Sequence, residues 1–204
     1  MNKLLDIAQS IGMFIAGIAI AYVTCRNELK KFFKKQKTNV TDALPVQSNI
    51  DVQLIERLEF TKELLNADII HIYEFHNGEH YADGRSALKL SCTYEVTKAG
   101  INSIRKQCTQ IPIAVLPKLV STLLEKGKNK YPNVEDAKDM DLPTYLFVNS
   151  LGINSFVNYA IRNNQNKIVG FIAVLWKDAK DYSDNERELL KLVYYIEENL
   201  ISKI

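Results

Sequence analysis

The three histidines of this chain lie within ten consecutive positions, in the segment HIYEFHNGEH from residue 71 to residue 80. The residues of metal-binding type in it are His71, Glu74, His76, Glu79 and His80. A metal site needs ligands that converge on one point, whereas His71 and His76 point to opposite faces if they share a strand. We therefore predict no metal site. Hydrogen bonds from His76 and Asn77 to the backbone of the following turn are the simpler expectation.

A second group of polar residues lies on residues 87–97, where apolar and polar side chains alternate. The apolar set is Leu88, Leu90, Cys92, Tyr94 and Val96. On a strand the polar set would face the other way, where it is either wet or lines a ligand pocket with the neighbouring strand. The predicted ligand-binding residues are Glu74, His76, Lys89, Ser91, Thr93 and Glu95. These residues identify no particular ligand or cofactor.

The three cysteines, Cys25, Cys92 and Cys108, cannot all pair and show no CxxC spacing, which argues against a disulfide framework or a zinc knuckle. A reducing compartment fits this usage better. Cys92 falls on the apolar side of its segment, as a core cysteine would. No glycine-rich phosphate loop, Ser/His/Asp order or paired-carboxylate motif is visible. We predict that the chain is not an enzyme.

An antiparallel sheet would position these side chains. Strands are predicted over residues 68–75, 87–97, 156–162 and 167–176, which are rich in β-branched and aromatic residues. The asparagines of NNQN between the last two favour a hairpin. Helices are predicted over residues 50–65, 113–126 and 144–151, and after Ser183, where Glu186 completes a capping box. This order predicts an α+β fold in which helices lie mainly on one face of the sheet.

Three segments in this order resemble the closing half of a GAF domain: LGI before a strand, the strand VGFIAVLW and the helix start DYSDNERELLKLV. The resemblance covers residues 50–204. It implies a small-molecule pocket on the sheet face away from the packed helices, roofed by the segments between the second and third predicted strands. The Asn-Lys-x-Phe-Asp-Glu motif of cyclic-nucleotide-binding relatives is missing, as is the cysteine expected of bilin-binding relatives. Cys92 and Cys108 do not match the spacing of the free methionine sulfoxide reductases, a thiol enzyme group with this fold.

Residues 7–25 contain no charged side chain, and 19 helical residues span about 28 Å, close to the thickness of a hydrocarbon core. We predict one transmembrane helix within residues 1–25. The basic residues that follow it are Arg26, Lys30, Lys31, Lys34, Lys35 and Lys37. Cytoplasmic flanks carry such an excess, so the chain is predicted to be a single-pass inner-membrane protein with its C-terminal domain in the cytoplasm. Small residues Ala8, Gly12 and Ala16 would allow two such helices to pair.

The predicted organisation is therefore an anchor (1–25), a basic juxtamembrane segment and linker (26–49) and a GAF-like domain (50–204). Residues 26–37 carry six basic residues against one acid, a charge of +5, so the remainder of a chain of net charge +2 carries −3. We call the basic residues of segment 26–37 the basic collar. A mildly acidic domain that follows such a segment is more typical of binding to a membrane surface than to nucleic acid.

Three function classes follow. The leading expectation is a membrane-anchored, non-catalytic, GAF-like sensory or docking module that binds an unknown small molecule or protein and forms a homodimer. No kinase, cyclase or phosphodiesterase segment follows the domain, so a signal would pass to another protein or through the dimer. The second is a structural or recruitment membrane protein with a vestigial pocket, for example of a bacteriophage or mobile element. The third is a GAF-fold thiol reductase.

Overall fold

The computed structural model describes residues 40–180 and 186–201, together with Arg26. The predicted membrane span, the lysines of the basic collar and the predicted cap Ser183 lie outside these residues. None of the helices in the described part combines the length and apolar composition that a membrane span requires. Residues 50–204 form one compact unit.

A six-stranded antiparallel sheet forms the centre of this unit, in the order β3-β2-β1-β6-β5-β4. Its strands are β1 (Ile69–His76), β2 (Lys89–Thr97), β3 (Ile111–Pro112), β4 (Lys128–Tyr131), β5 (Ser155–Arg162) and β6 (Ile168–Trp176). The four predicted strands are confirmed to within two residues. The sequence analysis missed the edge strands β3 and β4, which are too short to show a periodic pattern.

The first and last helices within residues 40–201 pack on one side of the sheet, which we call the α1/α4 face. They are α1 (Val40–Leu65) and α4 (Glu186–Ile196), and a π-helical turn, Glu197–Ile201, follows α4. Leu54 and Leu58 of α1 and Leu189 of α4 are completely buried there. They share one core with alternate residues of the central strands, Ile70, Ile72, Val157, Ile172 and Val174.

The remaining helices cover the opposite side, the α2/α3 face. They are α2 (Pro117–Lys126) and α3 (Leu142–Ser150), and short 3₁₀ turns accompany them at Arg105–Cys108, Ile113–Val115 and Val134–Ala137. The prediction that helices lie mainly on one face is therefore wrong. The central strands are apolar at odd and even positions alike, so both faces of the sheet need a cover.

Helix α1 begins earlier than the sequence pattern indicated. Residues 40–49 were expected to be part of a linker, but they are helical and include Pro45. Proline removes one backbone donor and disfavours a helix interior, but near the N-terminus few intrahelical bonds are lost. The surrounding Ala43, Leu44 and Gln47 are good helix formers.

Candidate ligand site

A β-bulge in β2 decides which side its residues face. The β1–β2 ladder shifts between Ile72, which is opposite Tyr94, and Tyr73, which is opposite Cys92. Thr93 is therefore the extra residue of the bulge. Because side chains alternate along a strand, the bulge reverses the side that β2 presents. Leu90 and Cys92 lie in the core of the α2/α3 face, whereas Tyr94 and Val96 pack on the α1/α4 face.

The six predicted ligand-binding residues consequently form no single wall. By register, Glu74 and His76 of β1 lie on the α1/α4 side with Ser91 and Lys89, their partners on β2. Thr93 is at the bulge, and Glu95 lies on the opposite face, across from His71. The prediction of one shared pocket wall is wrong because it assumed unbroken alternation through β2.

His76 is engaged in local contacts at the end of β1. Its Nε2 lies 2.9 Å from Ser91 Oγ, and its Nδ1 lies 3.2 Å from the Asn77 carbonyl oxygen. The contact with the Asn77 carbonyl oxygen is of the expected side-chain to backbone kind, whereas the contact with Ser91 joins two side chains. Within the described ranges, no cluster of three or more His, Cys, Asp or Glu side chains could hold a metal ion.

A small cavity lies on the α2/α3 face, between the sheet and its two covering helices. Its volume is about 30 Å³. The sheet contributes Tyr73, Phe156, Asn158 and Phe171, and the roof contributes α2, α3 and the turn that follows α3. None of the lining residues carries a charge. The cavity is roofed by segments between β2 and β5, as the resemblance to GAF domains implied.

Asn158 brings an amide into this apolar cavity. It lies in the middle of β5, which is buried along almost its whole length, and only 2% of its surface is exposed. Its side chain donates and accepts no hydrogen bond among the described residues. Across the ladder, directly opposite, is Asn129 of β4, a second buried amide without a side-chain hydrogen bond in this part of the chain. The sequence analysis missed both residues, although a polar side chain inside SFVNYAIR is the signal that marks Asn158.

A buried polar network adjoins the cavity at Tyr73. His71 is completely buried, and its Nε2 donates to Glu95 Oε2 over 2.7 Å. The other ring nitrogen, Nδ1, lies 3.0 Å from the Tyr73 hydroxyl. Burial raises the pKa of Tyr73 well above its ordinary value, so its hydroxyl remains protonated. Tyr73 therefore presents a neutral ring to the cavity while its polar end is held by His71.

The same network lowers the pKa of Glu95. Burial alone would raise it, but hydrogen bonds from His71, Ser103 and the Ile104 amide, together with the attraction of His71, outweigh burial and lower it. The Ile104 amide donates to Glu95 Oε2 over 3.2 Å. Arg105 then binds the bulge itself, since its Nε donates to the Cys92 carbonyl oxygen over 3.3 Å. The β2–β3 connection is thus fixed to the sheet at the bulge.

The two described cysteines are buried in the same region. Burial raises the pKa of Cys108 to about 11 and raises that of Cys92 further. Both thiols are therefore protonated at neutral pH, and a thiol reacts far more slowly than a thiolate. This environment is unlike that of a catalytic cysteine.

No protein-family model matches the chain, and no curated protein sequence matches it. Solved structures do match. The GAF domain of PixJ from Thermosynechococcus elongatus, in its blue-light absorbing form, matches with a TM-score of 0.54 at 12% identity, over 77% of this chain and 83% of that one. The GAF domain of a two-component sensor histidine kinase from Bacillus halodurans gives 0.50 at 20% identity, over 72% and 91%. The phycocyanobilin-bound GAF domain of a cyanobacterial phytochrome gives 0.50 at 14% identity, over 75% and 94%.

At these identities the likeness shows the fold alone. The chain has a GAF-like fold, with a curled antiparallel sheet of six strands and helices around it.

Proposed function

We propose that this chain is a non-catalytic sensory module that binds a small molecule in the cavity of its GAF-like domain. A single transmembrane helix within residues 1–25 holds the module at the inner membrane, with the domain in the cytoplasm. Ligand occupancy on the α2/α3 face changes the packing of α1 and α4 on the opposite face.

The proposed coupling between the two faces rests on the alternation of side chains in β5. Asn158 faces the cavity, whereas its neighbours Val157 and Tyr159 belong to the core beneath α1 and α4. Any movement of the strand that accommodates a ligand therefore also moves the surface on which the two helices pack. The ligand shifts the equilibrium between the ligand-free and the ligand-bound packing of α1 and α4 by the difference in its affinity for the two packings.

The size of the cavity limits the ligand. One matched structure holds phycocyanobilin, a linear tetrapyrrole far too large for a space of about 30 Å³. Pockets for drug-sized ligands measure roughly 300–1,000 Å³. The ligand of this chain is thus a much smaller molecule, and bilin-based light sensing is not part of the proposal.

The membrane placement is supported by the sequence. Nineteen residues without a charge precede six basic residues within residues 26–37. Each Lys or Arg near an anionic membrane surface contributes about 1 kcal/mol of attraction. The non-catalytic role is supported by the buried, protonated thiols of Cys92 and Cys108.

Two measurements test this function. The full chain should resist alkaline extraction from membranes, and Ile18→Lys, which places a charge inside the apolar run, should release it, whereas Lys34→Ala should not. With labelled Ile, Leu and Val methyl groups in lipid nanodiscs, the full chain should show shifted signals of the lining residues Leu119, Val148 and Leu175 when a concentrated small-molecule extract of its native cells is added. The cavity-filling variant Ala173→Val should show no such shift while keeping its melting temperature within a few degrees. A wild-type chain that is extracted at high pH, or whose lining methyl signals do not shift, would contradict the proposal.

A second candidate function is recruitment through protein contacts, with a vestigial pocket. The small volume of the cavity favours it, and so does an exposed apolar stripe on α1, where Phe60 is 60% and Leu64 44% exposed. Phe60 borders a surface groove lined also by Gln53, Glu56, Arg57 and Tyr195. A second copy of the chain is the proposed occupant, since Glu56 and Arg57 offer opposite charges to a two-fold partner. A dimeric chain whose lining methyl signals respond to no small molecule would favour this candidate.

A further inference from the structure

We propose that Asn158 selects the ligand, and that the cavity takes a small uncharged molecule with a short apolar body and one amide or carbonyl group. This inference rests on the proposed sensory function, because it names the class of molecule that the same cavity senses.

The first argument is the cost of an unpaired amide. A buried polar group without a hydrogen-bond partner destabilises a protein by about 1–3 kcal/mol. Phe156 and Ala160, the neighbours of Asn158 on the same side of β5, are apolar and pack in the surrounding core. An apolar residue would therefore suit position 158 better unless the amide gains a partner. The cavity is the space into which that partner enters.

The second argument is the chemistry of the amide. Asn158 offers one carbonyl acceptor and two N–H donors. A ligand amide matches both functions at once, and a ligand carbonyl accepts from the N–H. Asn129 lies directly opposite on β4, where paired side chains approach within about 5 Å at Cβ. The Asn129 amide therefore adds further donor and acceptor groups next to the Asn158 amide.

The third argument excludes charged ligands. No lining residue is charged. His71 and Glu95, which adjoin the cavity through Tyr73, are hydrogen-bonded to each other. Transfer of an ion into an apolar site without a partner costs far more than transfer of a neutral amide. A carboxylate or phosphate is therefore a poor occupant, although it offers the same acceptor geometry.

The fourth argument is size. A single water needs about 10–15 Å³ measured in this way, so a cavity of about 30 Å³ holds about two water positions. Phe147 and Leu151 of the roof are only partly buried, so a small outward shift of these two side chains admits about four non-hydrogen atoms. Acetamide has this size, and acetate is its charged isostere.

The test uses the full chain in lipid nanodiscs with labelled methyl groups on Ile, Leu and Val, titrated with acetamide, acetate or xenon and followed by NMR. We expect acetamide to shift the methyl signals of Leu119, Val148 and Leu175 with a dissociation constant in the millimolar range. Four heavy atoms supply at most about 6 kcal/mol of binding free energy. Acetate should bind at least ten-fold more weakly, and xenon should enter regardless of the amide.

Asn158→Leu should weaken acetamide binding at least ten-fold and leave xenon binding within about two-fold. Asn158→Ala serves the same purpose if the leucine variant does not fold. Asn149→Leu, at an exposed asparagine of α3, is the control that should bind acetamide like the wild type.

The alternative outcomes separate the two proposals. If acetate binds as tightly as acetamide, if both Asn158 variants retain acetamide binding, or if only xenon enters, the ligand class assigned here is wrong while small-molecule sensing stands. If no probe shifts the lining methyl groups, the cavity is closed, and both this inference and the sensory function fail in favour of recruitment.

Discussion

His71 and Glu95 form a buried pair across β1 and β2, with 2.7 Å between Nε2 and Oε2. The imidazole is completely buried and the carboxylate is only 7% exposed. The same imidazole contacts the Tyr73 hydroxyl through its other nitrogen, so the pair orients a residue that lines the cavity. A pair that lies outside the cavity thus determines part of its wall.

Glu95→Gln should lower the free energy of unfolding by about 1–3 kcal/mol at pH 7, because the charge-assisted hydrogen bond from His71 is lost. The folded-state pKa of Glu95 is below its ordinary value of 4.5, so its contribution is complete above that pH and is lost as the pH falls through the lowered pKa. The wild type and the variant should therefore converge in stability as the pH falls below 4.5 and through the lowered pKa. Urea denaturation from pH 3 to pH 8 measures this. Glu74→Gln on β1 is the control, and an equal pH-dependent loss there would contradict the assignment to Glu95.

Gly170→Ala should destabilise the sheet, because an added Cβ would lie 2.1 Å from the Tyr73 carbonyl oxygen on β1. The two strands must separate to admit it, and overpacking of this kind costs about 1–3 kcal/mol or more. Gly100→Ala is the comparison, since its Cβ meets nothing within 4 Å and only its positive φ of 85° is penalised. Chemical denaturation should show the larger loss at Gly170. A smaller loss of stability at Gly170 than at Gly100 would mean that β1 and β6 separate more easily than the 2.1 Å distance implies.

The sequence predicted the four longer strands because their β-branched and aromatic residues are dense and continuous. It misassigned the polar face of β2, because one extra residue at Thr93 reverses the sides and a period-two pattern cannot reveal it. Lys62 of α1 shows a different limit. It lies one helical turn after Leu58, at the edge of the apolar stripe, and it is 5% exposed, because its ammonium group donates to the Thr97 carbonyl oxygen over 3.0 Å. A helical pattern does not reveal such a tertiary partner.

The candidate site was less predictable than the fold. The resemblance to GAF domains implied the face of the sheet on which the cavity lies, but not the lining residues. Asn158 and Tyr73 line one cavity only because β5 and β1 pair on either side of β6. Such convergence depends on strand order, which local sequence patterns do not encode.

Glu186→Gln should loosen the start of α4. Its Oε1 accepts hydrogen bonds from Lys128 Nζ, 2.7 Å away, and from the Tyr159 hydroxyl. The bond from Lys128 and then the bond from Tyr159 lower the pKa of Glu186, so the effect should fade as the pH falls below about 4.5. The carboxylate is 38% exposed, so the loss of stability should stay below about 1 kcal/mol. Hydrogen exchange of α4 amides should rise at pH 7. Glu188→Gln should change it less, because within the described residues Glu188 forms its ion pair with Lys191 of the same helix.

Phe60→Glu should weaken self-association of the full chain at least ten-fold. Phe60 and Leu64 are one helical turn apart on α1, so they form a continuous apolar stripe exposed to solvent. A two-fold axis through this stripe would bring the two Phe60 rings together, and a buried glutamate pair at that position is strongly unfavourable. Sedimentation equilibrium in a density-matched detergent measures the dissociation constant.

Leu124→Glu provides the matched control, because Leu124 is also exposed, at 57%, but lies on α2 across the sheet. It should associate like the wild type. Equal weakening by the two substitutions would show that the stripe on α1 is not the contact. A wild-type chain that stays monomeric at membrane-like concentrations would rule out a second copy as the occupant of this surface and would leave a different protein as the receiver of the signal.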